Sequence, residues 1–375
     1  MSLSRQTYEE YFARIKSGGP SKLVVIIDEA QFVAKRDASF MEAVAKLKKH
    51  KLYPGPVLII LATSSTVWAT QEAAEQFKGA KMKIESLNFL EVVRHFESLP
   101  VAEIVRIYGA IGGVPAYLDK WDAAKSFKDN ICRLVLTPSG ALYGEADAVI
   151  SSELRELSAY STILAAIARG ENKLNDIFHA TGFSRAKISV YLKNLATFNI
   201  VEKVVSFETG GWENAKKGVY QIKDTFVNFW FKFVYPNMSN LYLLSPEEFY
   251  DTYIEKELDA YLERYFREVC TEYLLILNQM GQLPFTIKRV GTWIGKTGRI
   301  DIVAQSEDRR SIIGFCNWDK PMMTMDMCEN MAMAMEQARL TSDDYYLFSA
   351  TDFEPALQSY VVRDPRFKLI NMNEL

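Results

Sequence analysis

Leu23-Val24-Val25-Ile26-Ile27-Asp28-Glu29-Ala30-Gln31 decides the reading of this chain. Five consecutive aliphatic residues, mostly β-branched, predict a strand buried on both faces, as at the centre of a parallel sheet. The run ends on two carboxylates, which emerge at the strand's carboxyl end. Open α/β sheets bind their ligands at that edge. An acidic pair there is costly unless it faces water, a metal or a reacting group. Downstream, Ser39 to Leu52 has helical periodicity, with Phe40, Val44 and Leu47 on one face. Val57-Leu58-Ile59-Ile60-Leu61 is a second fully aliphatic run, and it ends in Ala62-Thr63-Ser64-Ser65-Thr66. Strand, helix, strand predicts a parallel βαβ unit, which carries Ser64 to the same edge as Asp28 and Glu29.

An Asp-Glu pair closing an aliphatic strand resembles the Walker B segment of P-loop ATPases. The resemblance implies ATP and Mg²⁺ as cofactors: Asp28 helps hold the metal, Glu29 orients the attacking water, and Ser64 matches the sensor 1 position that reads the γ-phosphate. A Walker B is preceded by a loop of the form G-x-x-x-x-G-K-[ST], whose backbone N–H groups and Lys cradle the phosphates. The 27 residues before Asp28 hold no such loop. Ser17-Gly18-Gly19-Pro20-Ser21-Lys22 lacks the Gly-Lys-Ser/Thr core, and a strand, loop, helix and next strand need roughly 30 residues or more. Residues 4–16 read as one amphipathic helix, and Met1-Ser2-Leu3 as a vector scar ahead of an internal fragment. Gly291-Thr292-Trp293-Ile294-Gly295-Lys296-Thr297 is one residue short of the loop and lies in another domain. Neither ATP nor Mg²⁺ is expected on this chain, and ATP hydrolysis is not expected from it.

The 375 residues, 49% hydrophobic and 24% charged, describe an ordinary globular protein of two or three domains. With a net charge of −3 no global basic field points to nucleic acid, so such a site has to be a local patch. Cys132, Cys270, Cys316 and Cys328 show no C-x-x-C spacing, and His50, His95 and His179 do not pair with them at ligand spacing. The thiols read as reduced and structural. Without a signal peptide or an apolar run of spanning length, a cytoplasmic protein away from the membrane is expected.

Further along, Met82 to Leu87 reads as a short strand and Asn88 to Glu97 as a helix. Gly112-Gly113-Val114-Pro115 marks a helix end and a sharp re-entry. From Ser151 the pattern changes to short helices, over 153–169, 173–181 and 185–198, with Gly182 at the turn and Ser184 as a cap. Two strands follow, at 200–205 and 218–222, around the polar tip Thr209 to Lys217. Helix, Gly turn, capped helix and hairpin predict a winged helix. If duplex DNA is the partner, Arg185, Lys187 and Lys193 on the third helix reach the groove, and Lys216 and Lys217 on the wing contact phosphates.

Beyond the aromatic run Phe226 to Tyr235, read as packing, and a long helical stretch from Pro246 to Met280, strands and helices alternate. Expected strands are 285–293, 299–304, 311–318, 345–348 and 367–371. A Met-rich helix (Met325, Met331, Met333, Met335) is expected to pack into the core. This order resembles the PD-(D/E)XK nuclease fold, whose chemistry requires an Asp and then Glu-x-Lys on the next strand to hold a divalent metal and activate water. Asp301 sits where the first acid belongs, Phe315 and Asn317 stand in place of the Glu and Lys, and Glu268 on the long helix matches a supporting acid. No cleavage is expected.

Together these segments resemble the archaeal-type AAA-like ATPase family that carries a C-terminal nuclease-like domain of unknown function (DUF234-like). The family's strand motif is Gly-Glu-Cys-Lys-Trp; here it reads Gly314-Phe315-Cys316-Asn317-Trp318. The implied architecture is α/β: a partial P-loop ATPase sheet (1–125), a winged helix (126–225) and a restriction-endonuclease-like α/β domain with a degenerate site (226–375). DNA or protein binding, self-association included, is the expected role. The competing readings are a metal-dependent nuclease with a migrated site and a purely structural partner module.

Overall fold

The structure is a computed structural model that describes residues 7–15, 22–49, 56–65, 67–76, 79–151, 154–207, 218–295 and 298–375. It is mixed α/β, and the chain divides into two compact units, Met1–Ile84 and Glu85–Leu375.

In the first unit, β1 (Leu23–Ile27) and β2 (Val57–Leu61) pair in parallel, with Leu23 opposite Val57 and Ile27 opposite Leu61. The crossover is helical, as its periodicity predicts. Asp37 accepts a hydrogen bond from the Ser39 N–H at the start of Ala38–Lys48, and Phe40, Val44 and Leu47 bury against Phe12 and Trp68. Val25, Ile27, Ile59 and Leu61 pack onto that core. The opposite face is open, which corrects the expectation of strands buried on both sides. Val24 is 51%, Ile26 67%, Leu58 54% and Ile60 42% exposed. A two-stranded sheet with helices on one side offers no cover for alternate side chains. Two smaller corrections follow. The first described helix spans only Tyr8–Ala13, and Met82 to Leu87 forms no strand, since among the described residues no strand pairs with it.

In the second unit a hydrophobic core runs from Phe89 to Met372. Two features anchor its start. The Glu272 carboxylate, far away in sequence, accepts hydrogen bonds from the N–H groups of Phe89 and Leu90, both at 3.1 Å, and so caps the helix Phe89–His95. Gly112 has φ +69°, and Gly113 lies so close to the Leu87 backbone that an added Cβ would come within 1.9 Å of its oxygen.

Three helices follow, Leu157–Ala168, Leu174–Thr181 and Arg185–Thr197, then the antiparallel pair β3 (Val201–Val204) and β4 (Val219–Ile222). Gly182, at φ +71°, ends the second helix, and Ser184 caps the third through the Lys187 N–H. The aromatic run buries Phe226, Phe229, Trp230, Phe231 and Phe233 as expected of a packing segment.

The long helix Glu255–Gln279 leads into a five-stranded sheet of β5 (Arg289–Ile294), β6 (Arg299–Gln305), β7 (Ser311–Asn317), β9 (Asp344–Ser349) and β11 (Phe367–Asn371). β8 (Met322–Met323) and β10 (Asp352–Phe353) form a separate short parallel pair. Spatial order is β11-β9-β7-β6-β5, parallel from β11 to β7 and antiparallel from β7 to β5. The core around the long helix takes in Ile302, Ala304, Ile312 and Phe348. On the other side Val303, Ile313 and Leu347 meet Met331 and Met335 of the helix Met325–Ala338. Met333 departs from the expected stripe; it lies two residues along from Met331, on the outer face, and is 54% exposed.

Candidate functional site

At the carboxyl end of β1, Glu29 adopts φ +47°, a left-handed conformation uncommon for a residue with a side chain. Two backbone bonds hold the ends of β1 and β2 together there, Ala62 N–H to Ile27 O at 2.9 Å and Ala30 N–H to Ala62 O at 3.0 Å. That closure brings Glu29 to Ser64. Glu29 Oε2 accepts the Ser64 N–H at 3.1 Å, the Ser64 hydroxyl at 2.9 Å, and the side-chain amide of Gln31. The Gln31 amide also reaches Ser64 Oγ at 3.2 Å. The Gln31 amide, then the Ser64 backbone, hold the Glu29 carboxyl below its ordinary value. Gln31 is 2% exposed and its Oε1 is buried without a partner. Asp28 is exposed beside this clasp, and its Oδ1 accepts the Glu29 N–H at 3.0 Å.

These side chains would supply an acidic and hydroxyl-bearing wall to a nucleotide site. One Glu29 oxygen is engaged by three donors of this chain, while Asp28, the residue matched to the metal, stays exposed. Among the described residues no cluster of three His, Cys, Asp or Glu side chains could hold a metal ion. Gln31 closes the quoted strand motif, but its part in the clasp shows only once Ser64 is placed beside it.

Asp301 lies on β6 with its side chain 6% exposed. Three donors surround it: Arg299 Nε at 3.1 Å, Arg267 of the long helix at 3.5 Å, and the Cys316 N–H of β7 at 3.1 Å. Burial and the neighbouring Arg299 draw the Arg267 guanidinium below the ordinary arginine value. Glu263, one helical turn before Arg267, is in electrostatic reach of Asp301. Burial and then Asp319 raise its carboxyl. Glu268 is placed differently: it is held by Arg264 Nε at 2.8 Å, and Arg264 in turn donates to Ile222 O at 2.7 Å. Asn317 is buried, its amide donating to Ser349, Thr351 and Lys320 O.

On the third helix Arg185 donates to Asn175 Oδ1 at 3.0 Å and lies 4.3 Å over the Phe178 ring. Lys187 lies 4.5 Å over Phe183. Both residues remain exposed, and Arg185 leans back onto the second helix, which carries Asn175 and Phe178. Lys193 is exposed on the same outer face as Ala186, Ser189 and Val190, the last 58% exposed. Lys216 and Lys217 lie outside the described residues.

Residues 230–335, which include the long helix and β5 to β7, match the DUF234 family, described as archaeal and bacterial proteins of unknown function. An uncharacterized protein of Methanocaldococcus jannaschii is 27% identical over 356 residues, covering 92% of this chain and 78% of its own. The protein VC1899 of Vibrio cholerae aligns over 94% of this chain and 88% of its own, at 10% identity and a TM-score of 0.24. Among the described residues no helix is long and apolar enough to cross a membrane.

Proposed function

We propose that this chain acts by binding duplex DNA or a protein partner through its helix–helix–helix–hairpin unit, read as a winged helix, and that it neither hydrolyses ATP nor cleaves DNA. The observation that carries the reading is the third helix: capped by Ser184, seated by Ile188, Tyr191, Leu192 and Leu195, with Arg185, Lys187 and Lys193 on its solvent side. A helix buried on one face and basic on the other suits groove entry, with the lysines and arginine on phosphates.

The β-sheet order supports a nuclease-like domain, and the surroundings of Asp301 support its being inert. Two guanidinium groups and a backbone N–H meet the carboxylate that a metal would otherwise require. The clasp between Glu29 and Ser64 supports a P-loop ATPase ancestry for the first unit, in which Asp28, Glu29 and Ser64 stand at the sheet edge. One observation favours a second reading, a metal-dependent nuclease with a migrated acid: Glu263 stands in reach of Asp301. Fluorescence anisotropy of a labelled duplex across a salt series tests the first reading. Binding that weakens linearly in log–log form with salt supports it, and no binding at the lowest salt removes the DNA half. Plasmid nicking with Mg²⁺ or Mn²⁺ that is lost on Asp301→Ala would turn the assignment to the second.

A further inference from the structure

The helix Arg185–Thr197 sorts its exposed side chains into two groups. In its first turn, Arg185 lies over Phe178 of the second helix, and Lys187 lies 4.5 Å over Phe183 and 5.3 Å over Tyr191. Ala186, Ser189, Val190 and Lys193 make the outward stripe, at the spacing of three and four residues that one helix face requires. Hydroxyl protons along this stripe are already spent: Ser189 Oγ donates to Arg185 O at 2.8 Å, and Thr197 Oγ1 to Lys193 O at 2.9 Å. Asn194, an amide of the kind that reads base edges, donates instead to the hydroxyl of the buried Tyr160 at 2.8 Å. What the middle of the stripe presents is the aliphatic side chain of Val190, 58% exposed. The helix carries no carboxylate.

We propose, on the reading of this helix as one that enters a groove of duplex DNA, that Val190 reads the C5-methyl groups of thymine there. In the major groove every A·T pair presents one such methyl, and apolar side chains are its partners. A G·C pair presents only amine and carbonyl groups on that side. Val190 set against those groups would bury them without hydrogen bonds, at a cost that a thymine methyl does not incur. Charge complementarity names the occupant. Lys193 on one side of Val190, and Arg185 and Lys187 on the other, place cations where phosphates flank the groove. With no carboxylate on the helix, nothing repels the backbone between them. The cations then hold the duplex whatever its sequence, and Val190 makes the choice of base.

The test compares two labelled duplexes of the same A·T sequence, one with thymine and one with deoxyuridine throughout, which pairs alike and lacks only the methyl. Binding of the full chain is followed by fluorescence anisotropy. The thymine duplex should bind tighter by roughly fourfold for each methyl that Val190 covers. Because the contact is apolar, that ratio should hold from about 50 mM to about 200 mM salt while both affinities fall. In Val190→Ala, a change at an exposed position that favours the helix, the ratio should drop toward one. In Lys193→Ala both affinities should fall and the ratio should stay. Saturable, salt-sensitive binding of equal strength to the two duplexes would overturn the proposal and leave the DNA reading standing. A ratio unchanged in Val190→Ala would overturn it as well. Binding to neither duplex at the lowest salt would remove the DNA reading, and the role of Val190 with it.

Discussion

Arg267 on the long helix lies 3.5 Å from Asp301 on β6, and that pair occupies the joint between helix and sheet. Both side chains are largely buried, and each faces the opposite charge of the other. Removing one partner of a buried pair leaves an uncompensated charge, which costs about 3–5 kcal/mol. Asp301→Ala is expected to destabilise the second unit by that much. Arg299→Ala, at a side chain 41% exposed, should cost under about 1 kcal/mol. Urea denaturation of both variants reads the difference; equal losses would mean that Asp301 is not held mainly by Arg267.

Gly113→Ala probes the re-entry after the helix Val101–Ile111. Its Cβ would collide with the Leu87 carbonyl, and the Leu87 N–H to Gly113 O bond of 2.8 Å ties the same two segments. Forcing them apart should cost at least about 1–3 kcal/mol, the range for overpacked sites. Thermal melts of the variant measure it.

Asp224 gives the pH dependence. It caps the helix Thr225–Phe229 by accepting the Val227 N–H at 2.8 Å, and burial raises its carboxyl above the ordinary value. The folded state then binds a proton more readily than the unfolded state. Between the ordinary Asp value and the raised one, stability from this group is present at low pH and falls as pH rises. Asp224→Asn keeps a good cap and removes the titration. Its stability relative to the native chain should therefore increase from about pH 4, the ordinary Asp value, toward neutrality in paired thermal melts.

The open face of the β1–β2 pair can be checked within the first unit. Ile26→Thr, on the exposed side, should change stability by no more than about 0.5 kcal/mol. Leu47→Ala, buried against that unit's core, should cost about 2–5 kcal/mol. Hydrogen exchange in the helix Ala38–Lys48 reports on this unit alone; a large effect of Ile26→Thr would mean the face is covered.

How far the residues foretold this arrangement varies with the kind of pattern. Local signals did well: the aliphatic runs became β1 and β2, and Gly182 with Ser184 punctuated the second and third helices where their chemistry requires. Which side of β1 is covered was not legible, because an all-aliphatic strand looks alike whether its sheet has two strands or five. The partners of Asp301 were hidden by helical phase. Glu263 and Arg267 share one face of the long helix, while Arg264 and Glu268 share another, turned toward Ile222. A choice between two acids five residues apart requires knowing which face the sheet meets. Arg299, two positions from Asp301 on its own strand, shares its face by strand alternation.

The most direct test of the central claim is duplex binding by the native chain and by Arg185→Ala/Lys187→Ala/Lys193→Ala, measured by anisotropy from about 50 mM to about 200 mM salt. The account predicts saturable binding by the native chain, and weaker binding by the triple variant with a salt slope shallower by roughly 0.9 for each phosphate it no longer neutralises. Identical affinity and slope in the two proteins would contradict it.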